Sequence, residues 1–168
     1  MKRLVNKIAI VTGASRAMGI GTAICRELAR EGADIFFTHW SNYDRQMKYF
    51  MDDDSVWSQH LMEEIRSFGV RCESMELDLS QPDAPRKLLD EVNERLGSPS
   101  ILVNNATYSV DVDFRSINAN ILDSHYGVNI RGTFLLTVEF ARQIEGKHGG
   151  RIINMVSGQD KSPEPGNL

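Results

Sequence analysis

Cysteine is scarce in this sequence, and the two that occur, Cys25 and Cys72, lie far apart and form no CxxC motif. This argues against a disulfide framework or a thiolate metal site, and favours two buried or half-buried thiols in a reducing compartment. The four histidines also lack the HExxH pattern and the i, i+4 pairing of metal ligands. We therefore expect no bound metal.

Long hydrophobic runs and a marked excess of one charge are also absent. The N-terminal stretch MKRLVNKIAIVTGAS has an apolar run of only IAIV, too short for a signal peptide or a membrane span. A net charge of -4 gives no electrostatic reason to expect a nucleic acid or an anionic membrane as partner. With 168 residues, of which 41% are hydrophobic, the chain is expected to form one soluble, cytoplasmic domain.

Short apolar runs alternate with helical patterns throughout the sequence. The first predicted helix has apolar residues at Ile20, Ile24 and Leu28 and stops at Gly32. The segment Ser80–Asp83 resembles a capping box at the start of the third helix. The alternation predicts an α/β fold with a parallel sheet covered on both faces. The predicted strands are KIAIV, ADIFFT, VRCESMEL, SILVNNA and RIINMV.

Two segments depart from this minimal alternation. Ser41–Ser55 occupies a place where a short loop would suffice, and we interpret it as an insertion that forms a surface helix or a flap. Within it, the run Asp52–Asp54 is either a divalent-cation site or a solvated helix N-terminus, and the helix macrodipole favours the second. The polar tail after Val156 is the other departure.

The stretch TGASRAMGIG, Thr12 to Gly21, lies between the first predicted strand and the first predicted helix. Glycines at such a turn let the backbone approach a pyrophosphate, and the free N–H groups and dipole of the helix start favour its negative charge. No GK[ST] follows, so the loop is not a Walker motif. Its context predicts a dinucleotide-binding loop, with a merely tight turn as the less favoured alternative.

On these residues the chain resembles the short-chain dehydrogenase/reductase family, and most of all its 3-oxoacyl-(acyl-carrier-protein) reductase-type members. The family's loop reads TGxxxGIG, which aligns if Ala17 and Met18 are inserted residues that widen the turn. The resemblance implies a Rossmann-type doubly wound parallel sheet, of which strands one to five are present and the later strands are missing. Four further motifs match in order: Asp78-Leu79, ILVNNAT at 101–107, GVNIRGTFLL at 127–136 and RIINMVS at 151–157.

The resemblance also implies a nicotinamide cofactor. NAD-using members usually have an acidic residue at the end of the second strand, where this sequence has Thr38-His39-Trp40. Arg16 matches a position that is often basic in NADP-using members, and a guanidinium can hold the 2′-phosphate bidentately. NADP is therefore favoured over NAD, although a solvated loop charge remains the alternative interpretation of Arg16. The implied cofactor-binding residues are Gly13, Ser15, Arg16, Gly19, Ile20, Gly21, Thr38, Asp78, Leu79, Asn105 and Ala106.

Two catalytic residues are implied by the same resemblance. Ser157 falls where the family has the serine that polarises the substrate carbonyl, and Asn129 where it has the asparagine that supports proton resupply. The family's proton donor is a Tyr in a YxxxK motif, whose Lys lowers the Tyr pKa. That motif would fall after Leu168, so we expect these 168 residues to belong to a longer enzyme and to be inactive alone.

These matches predict an NADP-dependent oxidoreductase that transfers a hydride between nicotinamide and a small carbonyl or alcohol substrate. A 3-oxoacyl thioester is one candidate, but the sequence does not identify the substrate, because the family reads it largely through segments after the catalytic Tyr. The alternative is a catalytically inactive nucleotide-binding or subunit-interaction module. A homo-oligomer is expected by analogy with the family.

Overall fold

The computed structural model of the chain describes residues 2–46 and 56–157. Most of the predicted insertion, residues 47–55 with the Asp52–Asp54 run, therefore lies outside the described residues, as does the tail from residue 158 onward. The first four residues of the insertion, Ser41–Asp44, form a short helix directly after the second strand.

Five parallel strands form a single sheet, which confirms the predicted doubly wound α/β fold. Their order across the sheet is β3-β2-β1-β4-β5, so the chain starts in the middle and builds outward in both directions. Val11 of β1 pairs with Phe37 of β2 on one side and with Val103 of β4 on the other. The carboxyl ends of the strands therefore share one edge. The strands are β1 (Ile8–Val11), β2 (Asp34–His39), β3 (Cys72–Glu76), β4 (Ile101–Asn104) and β5 (Arg151–Asn154).

Helices cover both faces of this sheet. They are α1 (Ile20–Arg30), α2 (Ser41–Asp44), α3 (Trp57–Ser67), α4 (Ala84–Arg95), α5 (Ala119–His125) and α6 (Thr133–Ile144). A π-helical segment, Tyr126–Gly132, joins α5 to α6, so the predicted long helix reaches Ile144.

The two-residue period of the strands divides the core into two layers. Val11 and Phe37 point to one layer, where they pack with residues of α1 and α3. Ile10 and Phe36 point to the other, where they pack with residues of α4 and α6. Both layers are apolar, and each fully buried large side chain contributes roughly 1.5–3 kcal/mol by its removal from water.

The start of α4 differs from the sequence-based prediction. The residue before its first turn is Asp83 rather than Ser80, and Pro85 occupies the second helical position. The backbone N–H of Ser80 instead donates to Asp78 Oδ1 at 2.9 Å. The capping-box prediction is therefore wrong, because Asp78 holds Ser80 in a turn and proline favours a helix start three residues later.

Both cysteines are buried and free, as the sequence predicted. Burial raises the pKa of the Cys25 thiol and raises that of Cys72 to about 12. Over residues 2–46 and 56–157, no helix combines the length and apolar character needed to cross a membrane. The same residues contain no group of His, Cys, Asp or Glu side chains suited to a metal ion.

Candidate active site

An open cavity of about 990 Å³ lies at the edge where the strands end. Its walls come from the glycine loop, the ends of β2, β4 and β5, the loop after β3 and the π-helical segment. In open parallel sheets this edge is where ligands bind. All thirteen residues predicted for cofactor binding or catalysis line this one cavity.

The glycine loop leaves no room for side chains at two positions. Gly13 has a φ of 75°, and a Cβ there would lie 2.7 Å from Ala106 Cα. A Cβ on Gly21 would lie 2.4 Å from the carbonyl oxygen of Gly13. The first turn of α1 thus packs directly on the loop, and its N-terminal end opens on the cavity through Gly19 and Ile20. Such an end favours a bound phosphate.

Thr12 ties this loop to the segment after β4. Its buried hydroxyl oxygen accepts hydrogen bonds from the backbone N–H groups of Asn105 and Ala106, both at 3.0 Å. The side-chain amide of Asn105 donates in return to the carbonyls of Thr12 and Gly13, both at 2.9 Å. Asn105, predicted to bind cofactor, therefore uses this amide to hold the loop. Sequence reasoning missed Thr12, because its partners lie more than 90 residues away.

Ala17 and Met18, predicted to be inserted residues, form a turn closed by a hydrogen bond from Gly19 N to Arg16 O, 3.0 Å long. Met18 at the tip is 98% exposed. The hydroxyl of Thr22 also donates to Arg16 O, at 2.7 Å. This turn thus projects outward, while Arg16 and Gly19 on its two sides line the cavity together with the neighbouring loop residue Ser15.

The end of β2 forms a corner of the cavity near Arg16. Thr38 is buried there, and its hydroxyl oxygen accepts from Gly13 N at 3.3 Å. Sequence reasoning placed no carboxylate in this corner, but α2 brings Asp44 into it, with Oδ1 4.0 Å from Arg16 Nε. Burial lowers the pKa of His39, against the opposing effect of Glu76 and Asp44, so this imidazole is neutral at pH 7.

Asp78 and Leu79 lie in the loop after β3 and line the cavity. The carboxylate of Asp78 accepts from Ser80 N and from Gln81 Nε2, each at 2.9 Å. Partial burial raises the Asp78 pKa, but these hydrogen bonds outweigh it, and the net shift is downward. A Cβ on Gly132 would lie 2.4 Å from the carbonyl oxygen of Leu79. The π-helical segment therefore passes very close to the loop after β3.

Asn129 lies on the π-helical segment, and its side chain is bound to the loop after β4. Its Oδ1 accepts from Tyr108 N at 2.8 Å, and its Nδ2 donates to Tyr108 O at 2.9 Å. The hydroxyl of Tyr43 both donates to Ser109 O and accepts from Ser109 N. The Tyr43 and Tyr108 rings lie 5.4 Å apart, so these two residues, missed by sequence reasoning as cavity residues, form a fixed wall.

Ser157 lies three residues past the end of β5, exposed at the mouth of the cavity. A side-chain hydrogen bond connects the ends of β4 and β5, since Asn104 Nδ2 donates to Asn154 Oδ1 at 2.8 Å. The same amide donates to Thr137 Oγ1 of α6 at 3.0 Å. The fold thus brings Ser157 and Asn129 to one cavity from segments that are far apart in sequence.

Known proteins share both the sequence and the fold. An uncharacterized oxidoreductase of Bacillus subtilis, YjdA, is 48% identical over 164 residues, which are 96% of this chain and 61% of that protein. A 3-oxoacyl-[acyl-carrier-protein] reductase, FabG, of Staphylococcus epidermidis is 29% identical over 152 residues, 90% of this chain and 57% of that protein. The chain thus spans about three fifths of the length of these relatives.

Solved structures agree with this pattern. A short chain dehydrogenase from Burkholderia cenocepacia, in complex with NADP, matches with a TM-score of 0.82 and 31% identity, over 98% of this chain and 61% of that one. A blue fluorescent protein from a metagenomic library, in complex with NADPH, matches with a TM-score of 0.78 and 28% identity, over 98% and 61%. The model of the short chain dehydrogenase family matches residues 7–168. The chain therefore belongs to the short-chain dehydrogenase family of oxidoreductases.

Proposed function

We propose that this chain is the nucleotide-binding part of an NADP-dependent oxidoreductase that interconverts a small carbonyl compound and its alcohol. The observation that carries the proposal is the single cavity that all thirteen predicted residues line. When bound, the cofactor would donate a hydride to the carbonyl compound as NADPH, and as NADP+ it would accept a hydride from the alcohol. The complexes of two structural neighbours with NADP and NADPH support this choice of cofactor.

The residues of the cavity fit such a dinucleotide. The close contacts at Gly13 and Gly21 leave bare backbone at the N-terminal end of α1, which suits a pyrophosphate. Arg16 beside the loop suits a further phosphate. The other cavity residues proposed to contact the nucleotide are Ser15, Gly19, Ile20, Thr38, Asp78, Leu79, Asn105 and Ala106.

Ser157 and Asn129 are proposed to act at the part of the cavity where the substrate reacts. The Ser157 hydroxyl donates a hydrogen bond to the substrate oxygen, where negative charge develops during reduction. Asn129 is a positioning residue through its side chain, because both amide atoms hold the backbone of Tyr108 in the cavity wall. A 3-oxoacyl thioester is the first substrate to test, since the FabG relative is named for that activity.

Replacing Ser157 with alanine tests this assignment. Turnover is measured on the chain extended through a YxxxK motif to the length of its relatives, with NADPH and a 3-oxoacyl thioester or a simple ketone. We expect kcat to fall about 100-fold, because one donor to the developing oxyanion is lost, while the Kd of NADPH stays unchanged.

The matched control is Ser67→Ala, an exposed serine at the end of α3 outside the cavity, which should leave kcat unchanged. Equal turnover of the Ser157→Ala variant and the parent would contradict the role of Ser157. No NADPH oxidation by the extended parent with any carbonyl substrate would contradict the proposed activity.

We also propose that the chain forms a homo-oligomer through the long helix. Four large apolar side chains recur every four residues on one helix face, namely Leu122, Tyr126, Ile130 and Phe134. Their exposed fractions are 57%, 52%, 58% and 65%. A continuous exposed apolar stripe of this kind marks an interaction surface.

Light scattering tests the oligomer. The parent chain is expected to have a mass that is a multiple of the monomer mass, and the double variant Ile130→Asp, Phe134→Asp is expected to be monomeric, because burying two carboxylates opposes association. Phe114→Asp, at a 70% exposed phenylalanine outside this helix, is the matched control and should associate as the parent does. A monomeric parent would refute the proposal.

A further inference from the structure

Two side chains of α1 hold the turn that contains Ala17 and Met18. The hydroxyl of Thr22 donates to Arg16 O at 2.7 Å, and Arg26 Nη1 donates to Ala17 O at 3.4 Å. Thr22 and Arg26 are four residues apart, so they lie on one face of α1. Because the Met18 side chain at the tip is almost fully exposed, the turn depends on such polar contacts rather than on apolar packing.

Two side chains of α3 in turn hold these side chains of α1. Trp57 Nε1 donates to Thr22 Oγ1 at 3.2 Å. Glu64 forms a bidentate salt bridge with Arg26, whose Nε and Nη2 donate to the two carboxylate oxygens at 2.7 and 2.9 Å. The Arg26 guanidinium also lies 5.6 Å from the centre of the Trp57 ring, within the range of a cation–π contact. Through Thr22 and Arg26, α3 is therefore connected to two successive carbonyl groups of the turn.

The hydroxyl of Thr22 is the centre of the first of these connections. Thr22 is completely buried, and a threonine hydroxyl has one hydrogen to donate. An indole nitrogen can only donate, so Trp57 Nε1 occupies a lone pair of Thr22 Oγ1, and the hydroxyl hydrogen points to Arg16 O. Without this hydroxyl, the Trp57 N–H group and the Arg16 carbonyl would each lose this partner.

The position of the turn matters for the cavity, because Arg16 and Gly19 on its two sides line it. A helix N-terminus and a guanidinium bind phosphate when their N–H groups are directed at it. Hydrogen bonds weaken steeply outside their normal distances and angles. A shift of this turn would therefore weaken the contacts with a bound phosphate.

We propose that Thr22 and Trp57 are positioning residues for the cofactor, through which α3 holds the glycine loop in the form that binds the phosphates of NADP. The inference rests on the proposed function, because it assumes that these phosphates bind at the glycine loop. Both residues are described by the structure and lie outside the cavity lining. They act through the backbone of Arg16 and do not touch the nucleotide.

The variant Thr22→Val tests the inference on the chain extended to the length of its relatives. Valine has nearly the same shape as threonine and lacks the hydroxyl. In titrations followed by nucleotide fluorescence, we expect the Kd of NADPH to rise about tenfold, because the buried contact with Arg16 O is lost. The KM of NADPH should rise likewise, while kcat and the KM of the carbonyl substrate stay unchanged.

Two further variants separate the hydroxyl from the rest of the side chain and test the connection to α3. Thr22→Ser keeps the hydroxyl and should bind NADPH as the parent does. Trp57→Phe keeps a ring beside Arg26 and removes the N–H group, and we expect the Kd of NADPH to rise about threefold. The double variant Thr22→Val, Trp57→Phe should bind no more weakly than Thr22→Val, because both changes act through one hydroxyl.

Ile65→Val is the matched control for a loss of stability. Ile65 lies on α3 and is fully buried in the core layer between that helix and the sheet. Its variant should unfold at a lower urea concentration than the parent, because a buried methyl group is lost, and should leave the Kd of NADPH unchanged.

Three results would overturn the inference. They are a Thr22→Val variant that binds NADPH as tightly as the parent, an Ile65→Val variant that weakens NADPH equally, and additive effects in the double variant. If Thr22→Val does not fold, Trp57→Phe alone decides, and an unchanged Kd then overturns the inference. A parent chain that does not bind NADPH would instead overturn the proposed function, which separates the two failures.

Discussion

The variant Gly13→Ala is expected to lose about 3 kcal/mol of its free energy of unfolding, and to lose measurable NADPH binding. The φ of 75° at Gly13 costs an L-residue roughly 1–2 kcal/mol. The added Cβ would also lie 2.7 Å from Ala106 Cα, and overpacking of this kind costs roughly 1–3 kcal/mol more. Urea unfolding measures the stability, and fluorescence titration measures the binding.

Gly69→Ala is a matched control for this experiment. Gly69 has a nearly equal φ of 81°, but a Cβ there would meet no atom within 4 Å. Its variant should therefore lose only the roughly 1–2 kcal/mol of backbone strain and should bind NADPH as the parent does. If the two variants lose the same free energy of unfolding, backbone strain alone, and not the contact with Ala106, explains why position 13 requires glycine.

The variant Thr12→Val is expected to lose about 2 to 4 kcal/mol of its free energy of unfolding, because it leaves two backbone N–H groups without their acceptor. Those groups are the backbone amides of Asn105 and Ala106, both 3.0 Å from Thr12 Oγ1, and valine has nearly the same shape as threonine. We also expect weaker NADPH binding, because the same contacts hold the glycine loop against the segment after β4. Thermal and urea unfolding measure the first effect.

Thr12→Ser separates the hydroxyl from the methyl group. Serine keeps the acceptor oxygen and lacks only one methyl group. The Thr12→Ser variant should therefore lose only about 1 kcal/mol of its free energy of unfolding. If serine and valine destabilise the chain equally, the hydrogen bonds of Thr12 contribute little. If valine is as stable as the parent, the amides of Asn105 and Ala106 find other partners, and the proposed role of Thr12 is wrong.

Local sequence signals predicted the five strands and most of the helices of this fold, but not every helix boundary. The apolar residues Ile20, Ile24 and Leu28 have helical spacing, and the structure has α1 there, followed by Gly32 with a φ of 95°. The start of α4 was predicted wrongly from Ser80–Asp83. The competing partner, the Asp78 carboxylate, was present in the sequence, but only the folded turn shows that it takes the N–H of Ser80.

The candidate site was predictable in part. The glycine loop, Asn129 and Ser157 were found by motif, and the fold places them around one cavity. Asp44 was not found, because α2 brings it into the cavity from a segment without a recognisable pattern. Asn105 was found, yet its amide holds the glycine loop, and this depends on distances to carbonyl groups that no sequence spacing contains.

The sequence by itself determined the strands, the helices and the family of this protein, because periodicity and short motifs depend on neighbouring residues. The tertiary structure alone decided which charges and hydrogen bonds meet in the cavity. Thr12 and Asn105 are 93 residues apart, and Arg16 meets Asp44 only because β2 and α2 carry the carboxylate back to the glycine loop. Electrostatic and hydrogen-bond energies depend on distance and burial, and these exist only after the sheet has assembled.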